Sequence, residues 1–347
     1  MPQISAIVPA RNEQENIEAA VTSLAAQPEI TEIIVVDDQS TDGTPQILSR
    51  LASTIPQLRL LNSGELPQSW VGKNYALWLG AQAAKCNWLL FTDADTVHFP
   101  GAAQCALECA RIHDAALVSY SPEQRTEKFF ERALIPFIYC RLARRFDFSR
   151  VNSASLPDAA ANGQFILIRR DAYEKSDGHR AISSIVLEDV ALAQRVKALG
   201  FHLYFASGEG IARTRMYRHF GAMWQGWTKN LYPLLGGTFA SVARELAITF
   251  PSLSAIFLIS AIFVGISASA KTTLWLIAAG IVALALRHLW YWRELAANRY
   301  PARFIIYYSV AVPLYAALIA VSAWKYRRGK IVWKGREYPV AGPSREP

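Results

Sequence analysis

Residues 87–96 read Asn87-Trp88-Leu89-Leu90-Phe91-Thr92-Asp93-Ala94-Asp95-Thr96. An apolar run of strand length ends in two acids separated by one small residue. Side chains alternate faces along an extended chain, so this spacing predicts Asp93 and Asp95 on one side of the strand end. Two carboxylates held that close repel unless something positive lies between them. Hard carboxylate oxygens suit a divalent cation such as Mg or Mn, which keeps open positions for the oxygens of a phosphate. Asp-x-Asp is also a common turn or cap whose acids are merely solvated. The neighbouring sequence separates the two readings.

Upstream of this stretch strand-like and helix-like segments alternate: Ile4–Val8, Glu13–Ala26, Glu32–Val36, Pro45–Ala52, Leu58–Leu61, Gly72–Ala84 and Trp88–Phe91. That order predicts an α/β fold with right-handed crossovers and a mostly parallel sheet covered by helices. Ligands of such sheets gather at the carboxyl ends of the strands. Three of those ends are polar: Pro9-Ala10-Arg11-Asn12-Glu13, Asp37-Asp38-Gln39-Ser40-Thr41-Asp42-Gly43-Thr44, and the Asp93/Asp95 pair. Asp42-Gly43 reads equally well as turn chemistry and Thr44-Pro45 as a helix start. Asp37 and Asp38, directly after a run of β-branched residues, have no evident capping role. No dinucleotide fingerprint or P-loop follows any strand.

Hydrophobic residues make up 52% of the 347 and charged ones 18%, a balance too apolar for a wholly soluble enzyme. The excess is concentrated between Leu246 and Trp324, in apolar runs at about 246–268, 273–291 and 304–324, each near the roughly 20 residues that cross a bilayer. Three spans with residues 1–237 inside would place the basic tail outside, against the positive-inside tendency. A re-entrant last span around Pro313, or an extra short span at 231–242, would resolve that. The net charge of +8 could suggest nucleic acid, but many basic residues flank the apolar runs, where they face anionic lipid, and no nucleic-acid-binding motif is present. Met1-Pro2-Gln3 leads straight into a strand, so no signal peptide is expected and the amino-terminal part is expected to stay in the cytosol. Cys86, Cys105, Cys109 and Cys140 form no CxxC pair and read as packing residues. Residues 129–145 mix aromatics with arginines, which suits an interfacial helix or a core helix with an arginine face. Asn162-Gly163 reads as a tight turn.

The ordered motifs PARNE, VVDDQSTDGT, GKNYAL, FTDADT and VLEDVAL resemble the family-2 glycosyltransferases with a GT-A fold, over roughly residues 3–232. The apolar tail and residues 223–230 are similar to the membrane-bound hopene-associated, carotenoid and ceramide glucosyltransferase-like branch. The resemblance implies that Pro9, Arg11 and Glu13 line the nucleotide pocket, that Asp38 accepts a hydrogen bond from uracil, and that Lys73 sits near the nucleotide or its phosphates. It matches Asp93 and Asp95 to the metal-binding DxD and Asp189 to the catalytic base. Glu188 competes as the base, and both acids also fit a helix start. Where many relatives carry QxxRW, residues 225–229 read Gln225-Gly226-Trp227-Thr228-Lys229. Gln225, Trp227 and Lys229 are the candidates for acceptor or diphosphate contact, unless the aromatics form an interface belt.

The chemistry requires the same residue types. A sugar leaving a diphosphate builds charge that a cation can stabilise, and an acceptor hydroxyl needs a carboxylate to take its proton. One base opposite the leaving group implies single displacement with inversion. The expectation is therefore an inverting, metal-dependent, multi-pass cell-membrane glycosyltransferase moving one sugar from a nucleotide-sugar, a UDP-sugar, to a lipid hydroxyl. Its parts are a cytosolic catalytic domain at 1–237, a transmembrane region at 238–325 and a basic tail at 326–347. A processive polysaccharide synthase and an inactive membrane scaffold of the same fold are the alternatives.

Overall fold

The computed structural model describes residues 3–249, 270–333 and 336–339. In chain order its elements are β1 (Ile4–Ala10), α1 (Ile17–Ala25), β2 (Ile30–Asp37), α2 (Thr44–Ala52), β3 (Leu58–Asn62), α3 (Gly72–Ala83), β4 (Trp88–Phe91), β5 (Thr96–His98), α4 (Ala102–Ile112), β6 (Leu117–Gln124), α5 (Phe129–Arg145) and α6 (Phe148–Asn152). They continue with β7 (Ile166–Arg169), α7 (Arg170–Lys175), α8 (Glu188–Ala198), β8 (Leu203–Thr214), α9 (Phe220–Leu234), α10 (Ala270–Ala297), α11 (Tyr308–Arg327), β9 (Lys330–Trp333) and β10 (Arg336–Pro339). The chain divides into two compact units, Met1–Arg125 with Phe146–Met216, and Thr126–Arg145 with Tyr217–Pro347.

In the first unit an eight-stranded sheet runs β3-β2-β1-β4-β7-β6-β8-β5. Its β3-β2-β1-β4 half is parallel, as the alternating pattern predicts. Near-continuous apolar strands suit this half because helices cover both faces. Ile4, Ala6 and Val8 pack in one core with Val21, Leu24 and Leu48. Ile7 joins Val36, Leu77 and Phe91 in the other. Helix α3 comes closest at Gly80, where a Cβ would stand 2.4 Å from Ile7 Cγ2. A residue without a side chain is what lets the helix lie that near the sheet.

Beyond β4 the sheet is mixed, which corrects the expectation of a mostly parallel one. β7 runs antiparallel to both β4 and β6, and β5 antiparallel to β8, while β6 and β8 are parallel. The reason lies in the connections: between β6 and β7 the chain passes through α5 and α6 instead of one crossover helix, so the rule that enforces parallel strands has nothing to act on.

The acidic turn is strung between distant places in the strand order. Thr92–Asp95 joins β4 to β5, and three strands, β7, β6 and β8, lie between them. Four spacings in a flat sheet would measure about 19 Å, more than this short link spans at about 3.4 Å per residue, so the sheet has to curl. Contacts on the α1 side agree: the His98 amide donates to Ser23 Oγ at 3.0 Å and Gln27 Nε2 donates to the Phe99 carbonyl at 3.0 Å.

The second unit holds α5, α9, α10, α11 and the antiparallel β9–β10 hairpin. The apolar face of α5, from Ala133 to Ile138, is buried, while Arg141 and Arg144 pair with Glu245 and Glu294. That is the core helix with an arginine face. Among the described residues one helix, Ala302–Arg327, is long and apolar enough to cross a membrane, and the span at 304–324 falls in it. The span at 273–291 falls in α10 and most of that at 246–268 lies outside the described residues. Three crossings are therefore more than the described residues establish. Residues 330–339, counted in the basic tail, carry the hairpin.

Candidate active site

The ends of β2, β1 and β4 are neighbours in register, with Ala10 opposite Asp37 and Ile7 opposite Phe91. The three polar loops therefore emerge side by side. At the first two, Arg11 Nη1 donates to the Asp38 carbonyl at 2.6 Å and lies 3.9 Å from Asp38 Oδ2. Ser63 Oγ donates to Asp38 Oδ1 at 3.0 Å, and Asp38 is 4% exposed. Pro9 and Glu13 are half-buried beside them. Asp42 has a structural role: its Oδ1 accepts the Thr44 amide at 3.0 Å and its Oδ2 the Gln14 amide at 3.1 Å. Asn12, at φ 53°, bends the chain after β1, and Asn16, at φ −125°, stands outside helical geometry, so the helix begins at Ile17 and not at Glu13.

The third loop departs from the extended chain that would put both acids on one side. The Thr96 amide donates to the Asp93 carbonyl at 3.2 Å, closing a turn over Asp93-Ala94-Asp95-Thr96. Its ends are fixed. The Thr92 amide donates to the Ile7 carbonyl at 3.2 Å, and Thr92 Oγ1 donates to the Gln164 carbonyl at 2.8 Å. His98 Nε2 lies 3.3 Å from Thr92 Oγ1, and burial pushes this histidine down to about 3, so it supports the turn as a neutral ring.

A lysine occupies the centre. Lys73 Nζ lies 2.6 Å from Asp93 Oδ1 and 2.7 Å from Glu188 Oε1. Burial opposes its charge, but Asp93 and Glu188 outweigh this and hold the ammonium well above its ordinary value. Burial raises Asp93, Lys73 pulls it back, and Glu188 adds to the rise, leaving it above the usual carboxylate range. Asn74 Nδ2, fully buried, donates to the carbonyls of Ile182, Ser183 and Ile185 at 2.8, 3.2 and 2.9 Å. These bonds tie the segment leading into α8 to the start of α3, which brings Glu188 to Lys73.

Asp189 stands next to this bridge. Its Oδ2 accepts the Gly163 amide at 3.0 Å and its Oδ1 the Val190 amide at 2.8 Å. Burial first, and the charge of Glu188 second, push its carboxyl up to about 6. Gly163 lies close against the bridge: a Cβ there would stand 3.1 Å from both Glu188 Oε1 and Lys73 Nζ, so either side chain would have to give by a few tenths of an ångström. Asn162-Gly163 thus touches the predicted base, a contact that two adjacent turn residues do not announce. The Lys73–Glu188 pair was equally hidden. Glu188 is taken up by this ion pair while Asp189 remains half-buried and open to a proton.

Gln225, Trp227 and Lys229 belong to α9 in the second unit. Gln225 is exposed, Trp227 is 2% exposed and packs edge-on against Tyr139 and Tyr217, and the Lys229 carbonyl accepts the Tyr326 hydroxyl at 2.8 Å.

The oxygen donors of Asp93 and Asp95 fit a hard cation such as Mg or Mn. Among the described residues no three His, Cys, Asp or Glu side chains are grouped closely enough to hold one unaided. An ion held by these two carboxylates would have to complete its shell with water and phosphate oxygens.

Residues 5–176 match the family model for glycosyl transferase family 2. The chain is 29% identical over 231 residues to 4,4'-diaponeurosporenoate glycosyltransferase of Staphylococcus haemolyticus, covering 66% of this chain and 60% of that protein. It is 25% identical over 347 residues to the protein of the same name from Staphylococcus aureus, covering 97% and 88%. Among solved structures it resembles a mannosyltransferase of Pyrobaculum calidifontis, determined with GDP-Man and Mn2+, at a TM-score of 0.52 and 19% identity over 93% of this chain and 86% of that one.

Proposed function

Because this chain belongs to glycosyl transferase family 2, we propose that it moves a single sugar from a UDP-sugar to a carotenoid-type lipid, with inversion at the anomeric carbon. The names of the two staphylococcal relatives support the acceptor class. The observation that carries the reaction is the pair of neighbouring carboxylates at the start of α8, Glu188 bound to Lys73 and Asp189 held by the Gly163 and Val190 amides.

The two acids have different tasks in this reading. Asp189, raised to about 6, takes the acceptor's proton as the acceptor oxygen bonds to the anomeric carbon and the bond to the diphosphate oxygen breaks. Its backbone amides fix the carboxylate's orientation without neutralising it. Glu188 holds Lys73, whose ammonium turns to the diphosphate when the donor enters. Arg11 and Asp38 form the floor of the nucleoside pocket, with Pro9 and Glu13 at its rim. Asp93 and Asp95 would hold the metal together with the donor's phosphates. When bound, that ion supplies Lewis-acid stabilisation of the departing diphosphate. Trp227, 2% exposed and packed against Tyr139 and Tyr217, serves the packing of the second unit and is left out of the acceptor contact.

The test is incubation of the full chain in lipid with radiolabelled UDP-glucose, UDP-GlcNAc and GDP-mannose in separate reactions, with a carotenoid alcohol and a carotenoid acid as separate acceptors and Mn2+ present, followed by lipid extraction; only the alcohol has a proton for Asp189 to take at neutral pH. One labelled lipid carrying one sugar, formed from a UDP donor, is expected. A ladder of products would indicate a polysaccharide synthase instead, and the absence of labelled lipid with all three donors would defeat the acceptor assignment.

A further inference from the structure

Within the second unit, α5, α10, α11 and the residues around Thr249 enclose a cavity of about 120 Å³. Three guanidinium groups line it, those of Arg141, Arg144 and Arg287, and the rings of Phe137, Trp290 and Tyr308 form apolar walls. Two of the arginines are already neutralised. Arg141 Nη2 lies 2.7 Å from Glu245 Oε1, which also accepts the Tyr315 hydroxyl at 3.1 Å. Arg144 grips Glu294 with two parallel bonds of 2.9 and 2.5 Å and lies over the Trp290 ring at 4.7 Å.

Arg287 has no carboxylate partner among the described residues. Residues 250–286, which precede it, contain no Asp or Glu at all. The cavity thus keeps one unbalanced positive charge. On the same helix Val282, Leu286 and Leu289 are 58%, 62% and 47% exposed, an outward apolar stripe beginning beside the arginine. A charge-seeking cavity next to an uncovered apolar stripe matches a molecule with an anionic head and a long apolar chain.

We propose that this cavity binds the head group of one anionic amphiphile, a carboxylate or a phosphodiester, with Arg287 as its counter-charge and the chain lying along α10. Donor binding and the transfer reaction have no part in the assignment.

The experiment is native mass spectrometry of the detergent-solubilised full chain with equimolar phosphatidylcholine, phosphatidylglycerol and oleate, and separately with ethyl phosphate. One phosphatidylglycerol or oleate is expected to be retained at least about tenfold over phosphatidylcholine, the preference that one charge-assisted contact supplies. Which of the two is held identifies the head group. Arg287→Gln should abolish the preference, Arg287→Lys should keep part of it, and Arg293→Gln, an exposed arginine that does not line the cavity, should leave it intact. If Arg287→Gln does not fold, Ile248→Trp, which fills the cavity from a position 46% exposed, replaces it. Equal retention of phosphatidylcholine, unchanged retention in Arg287→Gln, or ethyl phosphate held as well as the amphiphiles would each overturn the proposal.

Discussion

The Lys73 ammonium stands 2.6 Å from Asp93 Oδ1, so a protein cation touches an acid expected to hold a metal ion. The contact gives Lys73 two roles that separate experimentally. Without donor it keeps Asp93 and Glu188 from repelling each other, and in the proposed reaction it becomes available to the diphosphate.

Lys73→Met should therefore lower both stability and transfer. Breaking a buried pair costs about 3–5 kcal/mol, and because the lysine side chain is still 30% exposed we expect about 2 kcal/mol here. Denaturant unfolding measures this. A variant as stable as the parent would show that the bridge contributes nothing to the fold.

Mn2+ should bind the nucleotide-free protein weakly and bind at least about tenfold more tightly once UDP is present, since phosphate oxygens complete the shell. Lys73→Met should narrow that gap by removing the competing ammonium. Calorimetry with and without UDP reads both effects. Equal Mn2+ affinity in the two states would mean that the protein alone supplies a complete site.

If Asp189 is the base, activity should fall as pH drops through about 6, because the protonated carboxyl cannot accept a proton. Stability runs the other way. The folded value lies above the ordinary 3.8, so this group's contribution is present below 3.8 and lost as pH rises through about 6. Asp189→Asn should then reduce transfer by about 10²–10⁴-fold and leave stability at pH 8 undiminished. Should Glu188→Gln cost as much while Asp189→Asn retains the parent's pH profile, the two roles are reversed.

Gly80→Ala should destabilise by about 1–3 kcal/mol, the usual cost of overpacking, because the added methyl meets Ile7 at 2.4 Å. Thermal unfolding tests it. An unchanged midpoint would show that α3 can shift away from the sheet without loss.

The parallel half of the sheet was legible because Ile4–Ala10, Ile30–Asp37 and Trp88–Phe91 are apolar runs separated by helical periodicity. β5 and β8 were not, since Thr96–His98 is too short to show alternation and Leu203–Thr214 carries Ser207, Glu209 and Arg213. Asp38 and Asp93 could be picked out because each follows an apolar strand, whereas Asp189 stood out only through the resemblance of VLEDVAL to a family motif. Their partners could not. Lys73 and Glu188 are 115 positions apart, and the Asn74 bonds, together with the Val71 amide donated to the Ser183 carbonyl at 2.8 Å, bring them together. The orientation of Asp189 likewise depends on a backbone amide at Gly163, and an N–H is common to nearly every residue.

The four residues from Thr92 to Asp95 hang between a central strand and the outermost one, each pinned by its own ladder. A loop tethered in this way cannot be resized like an ordinary surface loop. Adding or removing one residue would turn Thr96 and His98 inside out or pull Asp93 away from its lysine. Variants with altered donor choice should therefore arise by exchanging side chains in this segment, and loops of other lengths grafted into it should fail to fold.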